Sequence, residues 1–540
     1  MTNEIPLRRL RVMGLTLGLD EPEELLRKRA AKHLKVSLDQ LRDVTLAKRS
    51  LDARGRPVWM CNVDVVAAIR GNVPSDVIEV EEFSQPRRDF KIRRQERVVV
   101  IGAGPAGLFC AHRLAESGLK PILIDRGQPV EIRGRHVSGL MHRGELLEDS
   151  NICFGEGGAG TWSDGKLYTR VNDPRGRHVL ETIVELGGPK QILVEGKPHL
   201  GTDRLVALCK AFRAHLIAEG CEVRFGAFVQ DMRSENGKVT AVVLRDGEVI
   251  ECDRVVLAVG HSAREMYNWL ASAGVVMEQK PFAVGFRVEH PQALINEIQY
   301  GKFAGMKGLP TADYRLAANF GKGEAHRGVY SFCMCPGGQV VPSPTQPGGI
   351  CVNGMSHAAR TGLWANSALV VSVKPSDFGA FGEVEGLNEH GGLLAGMAFQ
   401  REAERRAYEL GGGGFIAPAQ RLIDFKQGVV SPDIRKTTYK PGVASADLSK
   451  AYPDFVIELL RTALDRFERS MHGYLTEDAV LIGVETRTSA PVQITRNERL
   501  VSVSLENLYP SGEGAGYGGG IVSAAIDGLR VAEQILSELE

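Results

Sequence analysis

The sequence predicts an α/β protein with a doubly wound, mainly parallel sheet, an α+β cap or substrate domain inserted into it, and a small α+β domain ahead of both. Three observations carry that reading. Val98 to Arg126 runs apolar segment, glycine turn, helical pattern and second apolar segment. Leu500 to Leu536 repeats the theme as a short strand, a glycine loop and an amphipathic helix. Between them, from about Ser262 to Arg487, strands alternate with loops rich in Gly and Pro. The expected divisions are 1–90 for the small domain, 95–265 and 488–540 for the two parts of the sheet domain, and 266–487 for the insertion.

In the small domain Leu10 to Leu17 reads as a strand, and Glu21 to Leu34 as a helix with one apolar face. Val44 to Ser50 and Val58 to Val66 follow as strands joined by the turn Asp52 to Gly55, which suggests a split βαβ-like sheet with helices on one side. Lys48, Arg49, Arg54 and Arg56 make a basic patch at that turn. Such a patch either blunts a sheet edge or offers charge to nucleic acid. Glu79 to Arg97, charged and containing Pro86, reads as a linker.

The glycine turn at Gly102 is GAGPAG, placed between a strand (Val98 to Ile101) and a helix ending near Ser117. That context is what a GxGxxG needs before it means phosphate binding. Gly102 permits the turn, Gly104 admits a pyrophosphate to the backbone, and Gly107 lets the helix lie close to the strand. The helix start at Pro105 offers unpaired N–H groups. Asp125, ending the next strand, is placed for a ribose diol. A second glycine cluster, Phe154 to Leu167, reads as a packed loop, because Phe154 and Trp162 are costly to expose. Thr202 to Glu219 reads as a helix, Glu222 to Phe225 as a strand continued by Phe228 to Met232, and Lys238 to Cys252 as a hairpin. Arg254 to Gly260 is a buried strand, so these segments supply the third and fourth parallel strands with a β-meander between them.

In the insertion, strands are expected at Phe282–Glu289, Val329–Met334, Ile350–Asn353 and Leu369–Val373, and helices at Gly392–Glu409 and Tyr452–Ser470. The chain then returns to the first sheet. Its last glycine loop carries Glu513 ahead of a helix from Ile521, and so forms the second half of a dinucleotide site. A plain NAD domain does not need such a segment, whereas a site spanning FAD does.

With 540 residues, 43% apolar and 24% charged, the chain reads as globular and multidomain. Zero net charge gives no field drawing it to nucleic acid or membrane. MTNEIPLRRLRV lacks a signal-peptide core and no apolar run is long enough to span a bilayer. Nine scattered cysteines then suggest reduced thiols and a cytoplasmic location.

These stretches resemble the bacterial FAD-dependent dehydrogenase (FAD-dependent protein) family, flavoproteins with a glutathione-reductase type of FAD domain. The resemblance rests on GAGPAG at Gly102, FGEGGAGTWSDGKL at Phe154, PFAVGFRVEHP at Pro281 and FCMCPGG at Phe332. NGMSHAAR at Asn353, ETRTSAPVQITR at Glu485 and YPSGEGAGYGGGIVSAAIDG at Tyr509 continue it, and RSLDARGRP at Arg49 extends it to the small domain. It implies a Rossmann-type FAD domain and no particular substrate. It matches Gly102, Gly104, Ala106 and Gly107 to the phosphate turn, Asp125 to the adenosine ribose, and Gly260 to the end of the fourth strand. Gly512 and Glu513 match a glycine–acid pair near the ribityl chain, where relatives more often carry Asp. Pro105, Arg126, Gly158, Gly160, Thr161, Lys166, Val229, Gly520 and Ile521 complete the expected cofactor site.

The function expected is that of an oxidoreductase passing electrons through FAD to or from a small molecule. No second strand–glycine–helix unit appears, so NAD(P)H would bind transiently in the inserted domain, or electrons would come from a protein donor. Candidate catalytic residues are Cys335, Arg287, His290 and Arg487. Cys333 and Cys335 read either as a redox or nucleophilic pair or as two structural thiols on one strand face. Arg287, Glu289 and His290 either meet the substrate or belong to a sheet edge. Arg487 either holds an anion or pairs with Glu485, and Lys166 either reaches the flavin or caps a loop. The Cys335–Gly338 loop is expected at the flavin ring together with Gly157–Thr161. Two other functions stay open, a flavin-dependent RNA-modifying enzyme and a non-catalytic flavoprotein sensor.

Overall fold

The computed structural model describes residues 6–80 and 88–540. At the amino end β1 (Leu7–Gly18), α1 (Leu25–Leu34), β2 (Leu41–Asp52), β3 (Val58–Ala68) and β4 (Val77–Glu79) form a sheet of order β2-β3-β1-β4. β3 lies antiparallel between β1 and β2, which gives a split βαβ arrangement. α1 seals one face by burying Leu26, Ala30, Ala31 and Leu34 with Leu10, Val12, Val63 and Val65. It begins four residues later than the pattern predicts, because Glu21 turns back to accept from the Gly18 N–H (2.6 Å). The basic patch is partly spent. Arg49 pairs with Glu195 at 3.1 Å and lies over Trp59, while Arg54 pairs with Asp52 at 2.6 Å. The backbone of Arg49 also bonds to Val194 and Gly196, fastening this sheet to the rest of the chain. Pro86 and residues 81–87 of the expected linker lie outside the described residues. The remainder from Arg88 is packed, with Phe90 and Ile92 on the adjoining core and Arg88 paired with Glu540.

The central sheet starts with β5 (Val98–Ile101), α2 (Pro105–Glu116) and β6 (Ile122–Asp125), followed by α3 (Val130–Arg143), α4 (Arg175–Glu185), α5 (Thr202–Ala218) and β7 (Glu222–Phe225). Next come β8 (Val229–Glu235), β9 (Lys238–Leu244), β10 (Val249–Glu251) and β11 (Arg254–Leu257). The expected continuation of β7 through Phe228 to Met232 is corrected here. Gly226 takes a left-handed φ of 69°, so β8 leaves the sheet and pairs with β9 in a separate three-stranded meander.

The third unit holds α6 (Arg264–Ser272), β12 (Met277–Gln279), β13 (Phe282–Pro291), α7 (Gln292–Tyr300), β14 (Ala317–Phe320), β15 (Arg327–Cys335), β16 (Gln339–Pro342) and β17 (Val352–Met355). It continues with β18 (Trp364–Val373), α8 (Ala395–Leu410), β19 (Ala417–Arg421), α9 (Leu422–Gln427), β20 (Val443–Ser445), α10 (Asp454–Ser470), β21 (Val480–Glu485) and β22 (Val492–Ile494). Seven of its strands form one sheet of order β14-β15-β18-β13-β21-β19-β20. β13 is its buried axis, with nine consecutive buried residues. The expected strand Ile350–Asn353 is shifted to β17.

β23 (Leu508–Pro510) and α11 (Ile521–Leu539) then close the first sheet in the order β23-β11-β5-β6-β7, all parallel. α11 packs on α2 at Gly528, where a Cβ would stand 2.1 Å from the Ala106 carbonyl oxygen. That contact holds the two helices together with their first residues opening on the same cavity. Among the described residues no helix is long and apolar enough to cross a membrane.

Candidate functional site

A cavity of about 1070 Å³ runs from the carboxyl ends of the parallel strands to the seven-stranded sheet. Its first wall is mostly main chain. Gly102 and Gly107 serve packing: a Cβ on Gly107 would lie 1.8 Å from the Gly102 carbonyl oxygen, and one on Gly102 would lie 2.3 Å from that of Ala258. Gly104 is different. A Cβ there would enter the cavity and meet only the Gly158 Cα, at 3.8 Å, and nothing lies within 4 Å of one at Gly260, Gly519 or Gly520. The first residues of α2 and α11 line this space, and a helix start presents unpaired N–H groups and positive potential. Asp125 accepts from the backbone N–H groups of Ala103 and Gly127, each at 2.8 Å, which fixes its carboxylate at the cavity edge.

The second glycine cluster folds as a 3-10 turn from Gly158 to Trp162. Beneath it the fully buried Arg133 donates to the carbonyls of Asn151 (2.8 Å), Ile152 (2.8 Å), Glu156 (2.5 Å) and Gly158 (2.9 Å). One guanidinium therefore clamps a loop that its composition would leave loose. Gly158, Ala159 and Gly160 face the cavity as a result.

The opposite wall is made of side chains held by buried charge. Arg487 donates to both oxygens of Glu404 (2.9 Å each) and to Thr345 Oγ1 (2.8 Å). Arg264 grips the same Glu404 carboxylate at 2.9 and 3.0 Å. Burial by itself would raise Glu404, but the two guanidiniums hold it well below the usual carboxylate range. Two cations on one anion leave the floor positive. Burial, aided by Arg487 and Arg264, pushes His261 down to about 4, so that imidazole faces the cavity neutral. Lys166 is held by Asp164 at 2.8 Å and donates to the Met334 carbonyl. Glu485 lines the cavity with both oxygens on Arg287 (2.7 and 3.0 Å). Burial outweighs that partner and pushes Glu485 up to about 7. Burial does the same to Glu513, also to about 7, against the pull of Lys280.

Of the residues singled out from sequence, Gly102, Gly104, Pro105, Ala106, Asp125, Arg126, Gly158, Gly160, Lys166, Val229, Gly260, Glu513, Gly520, Ile521 and Arg487 line the cavity. Gly107, Thr161 and Gly512 stand behind its surface. Thr161 Oγ1 donates to the Glu156 carbonyl (3.1 Å), and the Gly512 N–H donates to Asp527 (2.8 Å). Three candidate catalytic residues are displaced. His290 is fully buried, bonded to the Tyr474 carbonyl at 2.8 Å with its ring tilted at 40° against the Tyr474 ring, and burial pushes it down to about 4. Arg287 lies fully buried behind the wall, donating to Glu485, to Asn366 (2.8 Å) and to the Cys333 carbonyl (2.6 Å). Cys335 is fully buried too, and the cavity surface carries Cys333 and Met334 in its place. The expectation for Cys335–Gly338 is corrected accordingly: Gly337 turns away, its N–H bonded to Gln292 at 2.8 Å. Arg487 pairs with Glu404, not Glu485. Arg133, Arg264 and Glu404 carry no sequence signal of their roles, since each finds its partners well away along the chain, and Asp164 joins the nearby Lys166 to the distant Arg360.

The open glycine cradles, two helix starts and the Asp125 carboxylate fit a dinucleotide carrying two ribose-like chains, as FAD does. Comparison with known proteins agrees. Residues 97–141 match an FAD binding domain, 281–488 an FAD-dependent protein C-terminal domain-like family, and 9–65 a domain of unknown function. A protein of Clostridium beijerinckii described as uncharacterized is 40% identical over 545 residues, covering 98% of this chain and 99% of its own length. A thiamine thiazole synthase of Methanococcus vannielii is 25% identical over 177 residues, 31% of this chain and 56% of that enzyme, so the match spans little over half of it. A solved glycerol-3-phosphate dehydrogenase from Bacillus halodurans complexed with FAD aligns over 83% of this chain and 64% of its own, at 11% identity and a TM-score of 0.34. On the full-length likeness and the flavin-family matches, the chain belongs to the FAD-dependent protein family, with FAD as its cofactor.

Proposed function

We propose that the cavity is the active site of an FAD-dependent oxidoreductase whose small substrate binds against the seven-stranded sheet. The observation that carries this is continuity. One cavity joins the two helix starts to a wall bearing Lys166, Cys333, Glu485 and Arg487. In this reading residues 95–265 and 488–540 hold the cofactor and 266–487 hold the substrate. Bound FAD supplies two-electron chemistry, and the chain supplies position and protons. Arg487, immobilised by Glu404, presents fixed positive charge to an anionic substrate group. Glu485, with its pKa near neutral, takes or gives a proton at the cavity surface while Arg287 fixes its orientation. His261, kept neutral, can accept or donate a hydrogen bond without adding charge. The free cysteines, most of them buried, suit a reducing compartment and support a cytoplasmic location.

The test is anaerobic titration of the yellow holoprotein with NADH, NADPH and a dithiol. Loss of the visible flavin absorbance with one of these, and its return on adding an acceptor, is the expected result. Flavin that no donor bleaches would make the protein a non-catalytic carrier of FAD.

A further inference from the structure

We propose that Cys333 and Cys335 form a redox-active dithiol at the cavity wall, with Cys333 as attacking thiolate, Cys335 as resolving thiol and a small organic disulfide as the substrate class. The inference deepens the proposed function and rests on it only for the source of electrons.

The backbone is the first observation. Cys333 has a left-handed φ of 47°, and the pairing of β15 with β18 slips between Phe332 and Cys335. In a regular strand, Cα atoms two residues apart are separated by roughly 6.6 Å, near the upper limit for a disulfide. Here the bulge breaks that extension, and the Cys335 thiol turns back to donate to the Cys333 carbonyl at 3.2 Å. A non-glycine residue held left-handed at a bulge beside a cavity is costly, and such strain gathers at functional sites.

Access is the second observation, and it assigns the roles. Cys333 lines the cavity and is half-buried, whereas Cys335 is fully buried with its thiol donating to the Cys333 carbonyl at 3.2 Å. Of the two thiols, Cys333 is the one a substrate in the cavity meets, and Cys335 lies buried behind it. The third observation is charge. Arg287 donates to the Cys333 carbonyl (2.6 Å) and to the Cys335 sulfur (3.5 Å), and Lys166 donates to the carbonyl of the intervening Met334. The neighbouring Cys335 thiol, then Lys166 and Arg287, holds Cys333 below the usual thiol range while burial and Asp164 oppose them. The buried Cys110, Cys209, Cys221 and Cys252 are pushed the other way by burial. Inert structural thiols behave like those four.

The step balances as follows. The Cys333 thiolate attacks one sulfur of R–S–S–R, the S–S bond breaks, one RS⁻ leaves and a mixed disulfide remains on Cys333. Cys335 loses its proton and attacks the Cys333 sulfur, so the Cys333–Cys335 bond forms and the second RS⁻ leaves. The substrate has gained two electrons and, from Cys335 and solvent, two protons. The protein has lost two thiol hydrogens, and FAD held by the first wall would, once reduced, supply the two electrons that, with two protons, restore both thiols.

The experiment uses FAD-loaded protein, reduced, freed of reductant, exposed to 2-hydroxyethyl disulfide, and quenched with N-ethylmaleimide in denaturant for peptide mass spectrometry. The peptide holding both cysteines should be unalkylated and lighter by two hydrogens. Cys335→Ser should leave a hydroxyethylthio adduct on Cys333, and Cys333→Ser should leave Cys335 fully alkylated by the maleimide. In the untreated native protein, iodoacetamide at pH 7 should modify Cys333 at least about tenfold faster than Cys335. Both thiols found alkylated in the treated wild type, or an adduct on Cys335, overturns the proposal. The wild-type peptide decides even if a variant fails to fold. A flavin bleached by a nicotinamide in a protein whose two thiols are still alkylated after the disulfide treatment would sink the dithiol and leave the oxidoreductase standing. Thiols that cycle beside a flavin no donor bleaches would do the reverse.

Discussion

The two walls of the cavity are built from different materials. The parallel-sheet wall is main chain, shaped by glycines and two helix starts, with backbone meeting backbone at Gly102 and Ala258 and at Ala106 and Gly528. The seven-stranded-sheet wall is side chain, and its shape depends on ion pairs joining residues as distant as Arg264, Glu404 and Arg487. A backbone wall suits a cofactor that is always the same, whereas a wall of paired charges can be retuned for a different substrate by a few substitutions. It also makes the second wall more fragile, because breaking one pair strands its partner.

Within the first wall, the largest expected effect separates glycines that pack from glycines that bind. Gly107→Val should abolish folding, because its Cβ would sit inside contact distance of the Gly102 carbonyl, a clash worth well over about 4 kcal/mol. Gly104→Val should fold, with near wild-type circular dichroism, and purify without FAD, because its side chain enters only the cavity. A yellow Gly104→Val protein would break the cofactor assignment of that wall. In the second wall Glu404→Ala leaves two buried guanidiniums facing each other and should cost about 3–5 kcal/mol in chemical denaturation. A loss under about 1 kcal/mol would show that solvent already screens those charges.

How much of each wall is legible in sequence follows the same division. A glycine demanded by backbone approach is marked at a single position, so GAGPAG, Asp125 and the Gly520–Ile521 helix start can be read directly. The Arg264–Glu404–Arg487 network has no spacing to read. His290 sits in a strand buried on both faces, where alternation cannot tell cavity from core. For Cys333 and Cys335 the alternation rule itself misleads, because it puts both thiols on one face of a regular strand, and the bulge turns Cys333 to the cavity while Cys335 stays buried.

A smaller effect is expected from pH. In the FAD-free protein Glu513 keeps its proton up to about 7, while the unfolded chain releases it near 4.5. The native state then binds more protons between these values, so stability falls from about pH 4.5 to 7 and levels above. Asp164 and Glu404 act in the opposite sense: held far below their usual values, they contribute above about pH 4.5 and lose that contribution as the pH falls. Glu513→Gln should flatten part of the decline in urea midpoint between about pH 4.5 and 7, Glu485 supplying the rest. An unchanged slope would mean that Glu513 is ionised in the native cavity.

The smallest effect lies outside both walls. Arg49→Ala removes one partly exposed ion pair with Glu195 and should cost under about 1 kcal/mol, with FAD retained. Limited proteolysis of this variant should release the first sheet sooner than in the wild type, although the backbone bonds at Val194 and Gly196 persist. Loss of FAD on that cleavage would tie the small sheet to the cofactor wall.

The proposed function requires one cavity to bring a flavin held by main chain against a reactive wall of side chains. A crystal structure of the FAD complex tests it most directly. The pyrophosphate should lie at Gly104 and the start of α2, with the flavin ring between the Gly158–Gly160 turn and the bulge at Cys333. A ring turned toward solvent, with Cys333, Glu485 and Arg487 out of reach, would contradict it.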